Sequence, residues 1–112
     1  MTVVKFVTGE SFCSHCREAI KILKEAYPQL KSKNVKIVQY DVRARKPEAI
    51  KALREKYDIT WEIEPVTADF IKTLKKKYET LSVPLLEISG KRVPFPYDPD
   101  RLLKTILNFD SS

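Results

Sequence analysis

The sequence predicts an α/β fold in which a mixed central sheet is flanked by helices. Three observations carry this expectation. Short β-branched runs alternate with amphipathic segments of helical period, in the order β-α-β-α-(β)-α-β-β-α. The early part reads as parallel strand–helix units, and the end as a hairpin followed by a helix. The chain has 112 residues, 43% of them hydrophobic and 32% charged, which suits a single domain over 1–112 with a modest core.

Each element has its own signal. Residues 2–9, TVVKFVTG, form a β-branched run that ends at glycine and reads as a buried strand. A helix follows, with Cys16, Ala19, Ile20, Leu23, Ala26, Tyr27 and Leu30 on one face; Pro28 is expected to end or fray it. Residues 34–42, NVKIVQYDV, read as a second strand, apolar on both faces as in the middle of a sheet. Residues 46–58 open with Pro47 near the first helical turn and place Ile50, Leu53 and Tyr57 on one side. In ITWEIEP, Ile59, Trp61 and Ile63 alternate with polar residues, which fits an edge strand or an extended connector. Trp61 there serves the core or a partner surface. Residues 66–79 form a third helix, and residues 84–89 a strand. Ser89-Gly90 turns the chain into KRVPFPY, whose two prolines fit only an edge strand. Asp98 is a good N-cap for a last helix that begins at Pro99 and carries Leu102, Leu103, Ile106 and Leu107.

Composition excludes some functions. No apolar run reaches the length of a membrane span. The first residues lack the basic and long apolar regions of a secretory signal, so a cytoplasmic location is expected. The net charge is +6. Its sharpest feature, Lys75-Lys76-Lys77 after Lys72, reads as the wet side of the third helix, because no nucleic-acid motif accompanies it. Two Asn and two Gln against abundant Lys, Glu and Ile resemble the composition of hyperthermophile proteins, where intracellular disulfides occur.

The chemistry concentrates in FCSHCR, residues 12–17, which holds both cysteines of the chain and its one histidine. Cys13 and Cys16 admit three readings: a redox pair, half of a metal site, or two inert buried thiols. A structural zinc site needs four ligands. Cys13, His15 and Cys16 supply three from one loop and the chain holds no other Cys or His, so a metal or iron–sulfur centre would have to bridge two chains.

A strand, Cys-x-x-Cys at a helix start, a βα unit and a hairpin introduced by Val-Pro resemble the thioredoxin and glutaredoxin superfamily. The resemblance rests on FCSHCR and on LSVPLLEISGKRV, residues 81–93, and covers nearly the whole chain. It implies a thioredoxin-like fold with an insertion at about residues 59–80. It also implies a thiol-disulfide oxidoreductase that works through a mixed disulfide. Cys13 would be the nucleophile, its thiolate favoured at a helix N-terminus. Cys16, one turn on, would be the resolving thiol. His15 would stabilise the thiolate and raise the reduction potential, much as the His of Cys-Pro-His-Cys does in oxidising members of the superfamily. By the same resemblance the Val83-Pro84 bond is cis, Pro84 packs against the disulfide, and Phe12, Ser14, Val83 and Pro84 meet the substrate. Pro65 competes for that role, but a helix follows it, whereas a strand and hairpin follow Pro84.

The resemblance fits neither branch fully. Phe12 stands where thioredoxins have tryptophan, Val7 where they have a buried acid, and PFPYDPD where glutaredoxins have a glycine-rich turn, with Asp98 its remnant. The expected cofactor is none beyond a redox-active Cys13–Cys16 disulfide, with no metal. The expected partners are disulfide-containing proteins and a reductase or glutathione-like thiol as electron donor, for a monomer that uses neither membrane nor nucleic acid. The alternatives are a glutathione-linked, glutaredoxin-like enzyme and a non-catalytic thioredoxin-like module that binds metal or a partner.

Overall fold

Strand β1 (Thr2–Thr8) runs through the middle of a five-stranded sheet of order β3-β2-β1-β4-β5. The structure, a computed structural model, describes residues 2–9, 14–79, 83–93 and 97–111, and of residues 109–111 the backbone alone. Helix α1 (Ser14–Ser32) returns the chain to β2 (Val35–Asp41), which lies parallel to β1 from Thr2↔Val35 to Thr8↔Asp41. Helix α2 (Pro47–Tyr57) leads to the short edge strand β3 (Glu62–Glu64), parallel to β2. Helix α3 (Ala68–Tyr78) precedes the antiparallel strands β4 (Leu85–Ile88) and β5 (Lys91–Val93), and α4 (Pro99–Ser111) closes the chain. The mixed sheet between helices is as expected. The ambiguous segment at Ile59 resolves into an edge strand, so residues 59–80 contribute β3 and α3.

Register assigns the faces. Along β1, alternate side chains point to opposite sides. Val4 and Phe6 belong to the larger core with Ile37, Leu86 and Ile88, under Ile20, Leu23 and Leu30 of α1 and Leu102 and Ile106 of α4. Val7 lies on the other side with Leu85, under Leu74 of α3. Tyr40 stacks on Phe70 at 4.3 Å between ring centroids and helps seat α3 there. Each fully buried Leu or Ile contributes roughly 1.5–3 kcal/mol, so the larger cluster carries most of the hydrophobic stabilisation.

Three local findings refine the sequence reading. Pro28 does not end α1; the helix continues through it to Ser32. A proline there removes one backbone hydrogen bond at a cost of roughly 3 kcal/mol. Burial of Ala26 on one side of it and of Leu30, 0% exposed, on the other holds the last turn in place. Trp61 is 2% exposed and belongs to the core, edge-to-face with Tyr27 at 5.5 Å. Finally β2 is not apolar throughout, because Gln39 and Asp41 are buried at 0% and 1% exposure.

The turns behave as their residues require. Ser89 and Gly90 have φ of 51° and 81°, the two positive values that a tight hairpin with the natural strand twist needs. Asp98 accepts from the backbone N–H groups of Asp100 and Arg101 at 3.0 and 3.1 Å, as an N-cap should. The strand expected over KRVPFPY is seen as β5 at the sheet edge, and residues 94–96 lie outside the described part.

Candidate functional site

The two parallel strands β1 and β2 end side by side. In open α/β sheets the carboxyl ends of the strands are where ligands and chemistry collect. Here the Val42 N–H donates to Thr8 O at 2.8 Å and ties the two ends together. Gly9 then carries the chain into the cysteine loop, whose residues 10–13, Phe12 and Cys13 among them, lie outside the described part.

On the far side of that loop α1 begins with Ser14 and His15, both exposed, and Cys16, 0% exposed. The helical period explains the contrast. Cys16 starts the apolar stripe that continues through Ala19, Ile20 and Leu23, so its side chain turns inward where those of Ser14 and His15 turn out. The Cys16 sulfur is engaged in a disulfide, and among the described residues no cysteine is free. Its Sγ also accepts the backbone N–H of Gly9 at 3.4 Å.

The second half of the site enters from the opposite direction. β4 is antiparallel to β1 with Leu85 opposite Val7, so the residues just before Leu85 stand at the end where β1 leaves the sheet. The Val83-Pro84 peptide bond is cis, as the resemblance to the superfamily implied. Pro84 is buried; Val83 is half-buried and packs on the Val7, Leu74 and Leu85 cluster. The fold thus brings Cys16, Ser14, His15, Val83 and Pro84 to one end of the sheet. Among the described residues no group of three or more His, Cys, Asp or Glu is arranged to hold a metal ion.

The sequence reading did not find the buried polar residues behind the loop. Thr8, Gln39 and Asp41 are 0–1% exposed and linked by hydrogen bonds of 2.6 and 2.9 Å. The one signal available was a Gln and an Asp at alternate positions of an otherwise apolar strand. A cleft of about 670 Å³ opens beside them at the start of α2, lined by Arg43, Arg45 and Lys46 together with Val42, Glu48 and Ala49.

A parallel strand pair that launches a helix with a buried cysteine, opposed by a cis-proline at the head of an antiparallel hairpin, defines the thioredoxin-like class of fold. Comparison with known sequences carries this further: the thioredoxin-like family matches over residues 2–91, and the chain belongs to that family. No curated protein matches it. Among solved structures the chain is similar to the thioredoxin domain of a thiol-disulfide oxidoreductase from Bacteroides vulgatus, with 23% identity over 96% of this chain and 78% of that one, at a TM-score of 0.72. It is also similar to a thiol:disulfide interchange protein from Chlorobium tepidum (13% identity, 96% and 78% covered, TM-score 0.78). A third is tryparedoxin I from Leishmania major (24% identity, 96% and 75% covered, TM-score 0.63). At these identities the likeness is one of fold.

Proposed function

We propose that this protein is a dithiol–disulfide oxidoreductase that reduces or exchanges disulfides of other proteins. Cys13 attacks the substrate disulfide and forms a mixed disulfide, and Cys16 resolves it. The observation that carries the reading is Cys16 itself, fully buried and engaged in a disulfide at the first turn of α1. A resolving thiol needs that position, out of reach of other reagents yet within reach of its neighbour. The chain has one other cysteine, Cys13, to serve as that neighbour. His15 is exposed beside the loop, where its ring favours a thiolate at Cys13 and a higher potential. In the same reading Phe12, Ser14, Val83 and Pro84 take part in binding the substrate.

In this reading the redox-active disulfide is the only cofactor. A reductase or a small thiol supplies electrons, and the protein acts as a cytoplasmic monomer. No helix among the described residues is long and apolar enough to cross a membrane. The reading is tested by reduction of insulin disulfides with dithiothreitol as donor. Wild type is expected to accelerate the reaction, and Cys13→Ser to fall to the uncatalysed rate. Equal rates for the two proteins would rule the reading out and favour a binding module.

A further inference from the structure

Behind the cysteine loop runs a chain of buried side-chain hydrogen bonds that thiol chemistry alone does not call for. Trp61 Nε1 donates to Gln39 Oε1 at 2.9 Å, and Gln39 Nε2 donates to Thr8 Oγ1 at 2.9 Å. The Thr8 hydroxyl donates to Asp41 Oδ2 at 2.6 Å, and Asp41 Oδ1 accepts the Arg43 backbone N–H at 2.9 Å. The direction is set by chemistry. An indole N–H can only donate, so the Gln39 amide nitrogen must face Thr8, whose single proton is left for the carboxylate. Every link is satisfied, and links of this kind reinforce one another away from water.

Stability is a weak reason for such a chain, since buried charges are often replaced by apolar residues without loss. What the chain does fix is the end of β1. The Thr8 carbonyl is held by Val42 N–H at 2.8 Å and its side chain by Asp41. The next peptide N–H is that of Gly9, which points at Cys16 Sγ from 3.4 Å.

We infer that Thr8, Gln39 and Asp41 are positioning residues that aim the Gly9 N–H at Cys16 and favour the anion at this buried sulfur during the resolving step. The inference rests on the dithiol reading above. In that step the Cys16 thiol gives its proton to solvent, and the thiolate attacks Cys13 Sγ. The Cys13–Cys16 bond forms and the bond from Cys13 to the substrate sulfur breaks. The substrate leaves as a thiolate that takes a proton from water, so two electrons pass from the two cysteines to the substrate disulfide. An anion on a sulfur with no exposed surface is costly without a donor. The Gly9 N–H is that donor.

Asp41 carries a negative charge of its own, which opposes an anion nearby. The informative variant therefore leaves the carboxylate in place. Thr8→Val removes only the hydroxyl and keeps the side-chain shape. Reduced protein is mixed in stopped flow with one equivalent of 5,5′-dithiobis(2-nitrobenzoate). The first thionitrobenzoate is released when Cys13 reacts, the second when Cys16 resolves. The first phase is expected to be unchanged. The second slows, about threefold for each tenfold loss of thiolate, because a more basic thiolate is also a better nucleophile. Its pH midpoint moves up. Thr8→Ser, which restores the hydroxyl, returns both to wild type. In an Asp41→Asn background Thr8→Val still slows the phase, which separates aim from charge. A Thr8→Val protein of lowered urea stability but unchanged second phase and midpoint would overturn the inference and leave the dithiol reading standing. A wild type that releases one equivalent and no second would overturn both.

Discussion

Among the described residues each face of the sheet buries one carboxylate, and the two hold different parts of the fold in place. Asp41, 1% exposed, lies on the α1 face and accepts from the Thr8 hydroxyl and the Arg43 backbone N–H. Glu87, 7% exposed, lies on the α3 face and is held by a cation and a phenol. Lys77 Nζ donates to Glu87 Oε2 at 2.9 Å and to Gly90 O at 2.9 Å, and the Tyr78 hydroxyl donates to the same Glu87 oxygen. The first arrangement ties its carboxylate to a strand end that leads into the cysteine loop. The second neutralises its charge and fastens the last turn of α3 to the hairpin. A buried acid is thus not by itself a sign of chemistry; what its donors hold in place decides its role.

Breaking the α1-face carboxylate should have the larger effect. Asp41→Ala takes the acceptor from the buried Thr8 hydroxyl and from the part-buried Arg43 N–H, and such a loss costs about 3 kcal/mol. The urea midpoint is expected to fall accordingly, and thiol–disulfide turnover to fall with it even where the protein remains folded. Unchanged stability would mean that the carboxylate is dispensable and that Thr8 finds another acceptor.

Breaking the α3-face carboxylate should cost less and be visible mainly in acid. Burial alone would push the Glu87 carboxyl up. The hydrogen bonds from Tyr78 and Lys77 and the charges of Lys77 and Lys5 outweigh it and hold the carboxyl below its ordinary value of 4.5. A depressed carboxyl stabilises the fold at and above the ordinary value, and that contribution is lost as the pH falls from there through the folded value. Glu87→Gln should therefore lower stability at neutral pH by about 1 kcal/mol, while the two proteins converge in acid. Parallel urea curves at both pH values would show that Glu87 contributes nothing through its charge.

How legible each region was in the sequence follows from the range of the interactions. Local signals were read directly: the stripe that buries Cys16, the Ser89-Gly90 turn and the Asp98 cap all lie within a few residues of their partners. The cis Val83-Pro84 bond came from the superfamily resemblance. What was missed depends on register. Thr8 and Asp41 are 33 residues apart and meet only because β1 and β2 pair in parallel with those two opposite each other. Lys77 was read as part of the wet face of a helix, and nothing in α3 alone announces that it and Tyr78 both reach Glu87 on another element. Pro28 was misread for the complementary reason: a local rule against proline yielded to the tertiary burial of Leu30.

The central claim is that Cys13 and Cys16 form one reversible redox couple, and equilibrium titration in thiol–disulfide buffers, read by alkylation and mass, tests it most directly. The two thiols are expected to appear together as a single two-electron transition. Its potential should lie above the roughly −270 mV of thioredoxin and nearer the −200 mV or so of glutaredoxins, and His15→Ala should lower it. Two sulfurs that titrate separately, or that stay reduced across the whole range, would contradict the account.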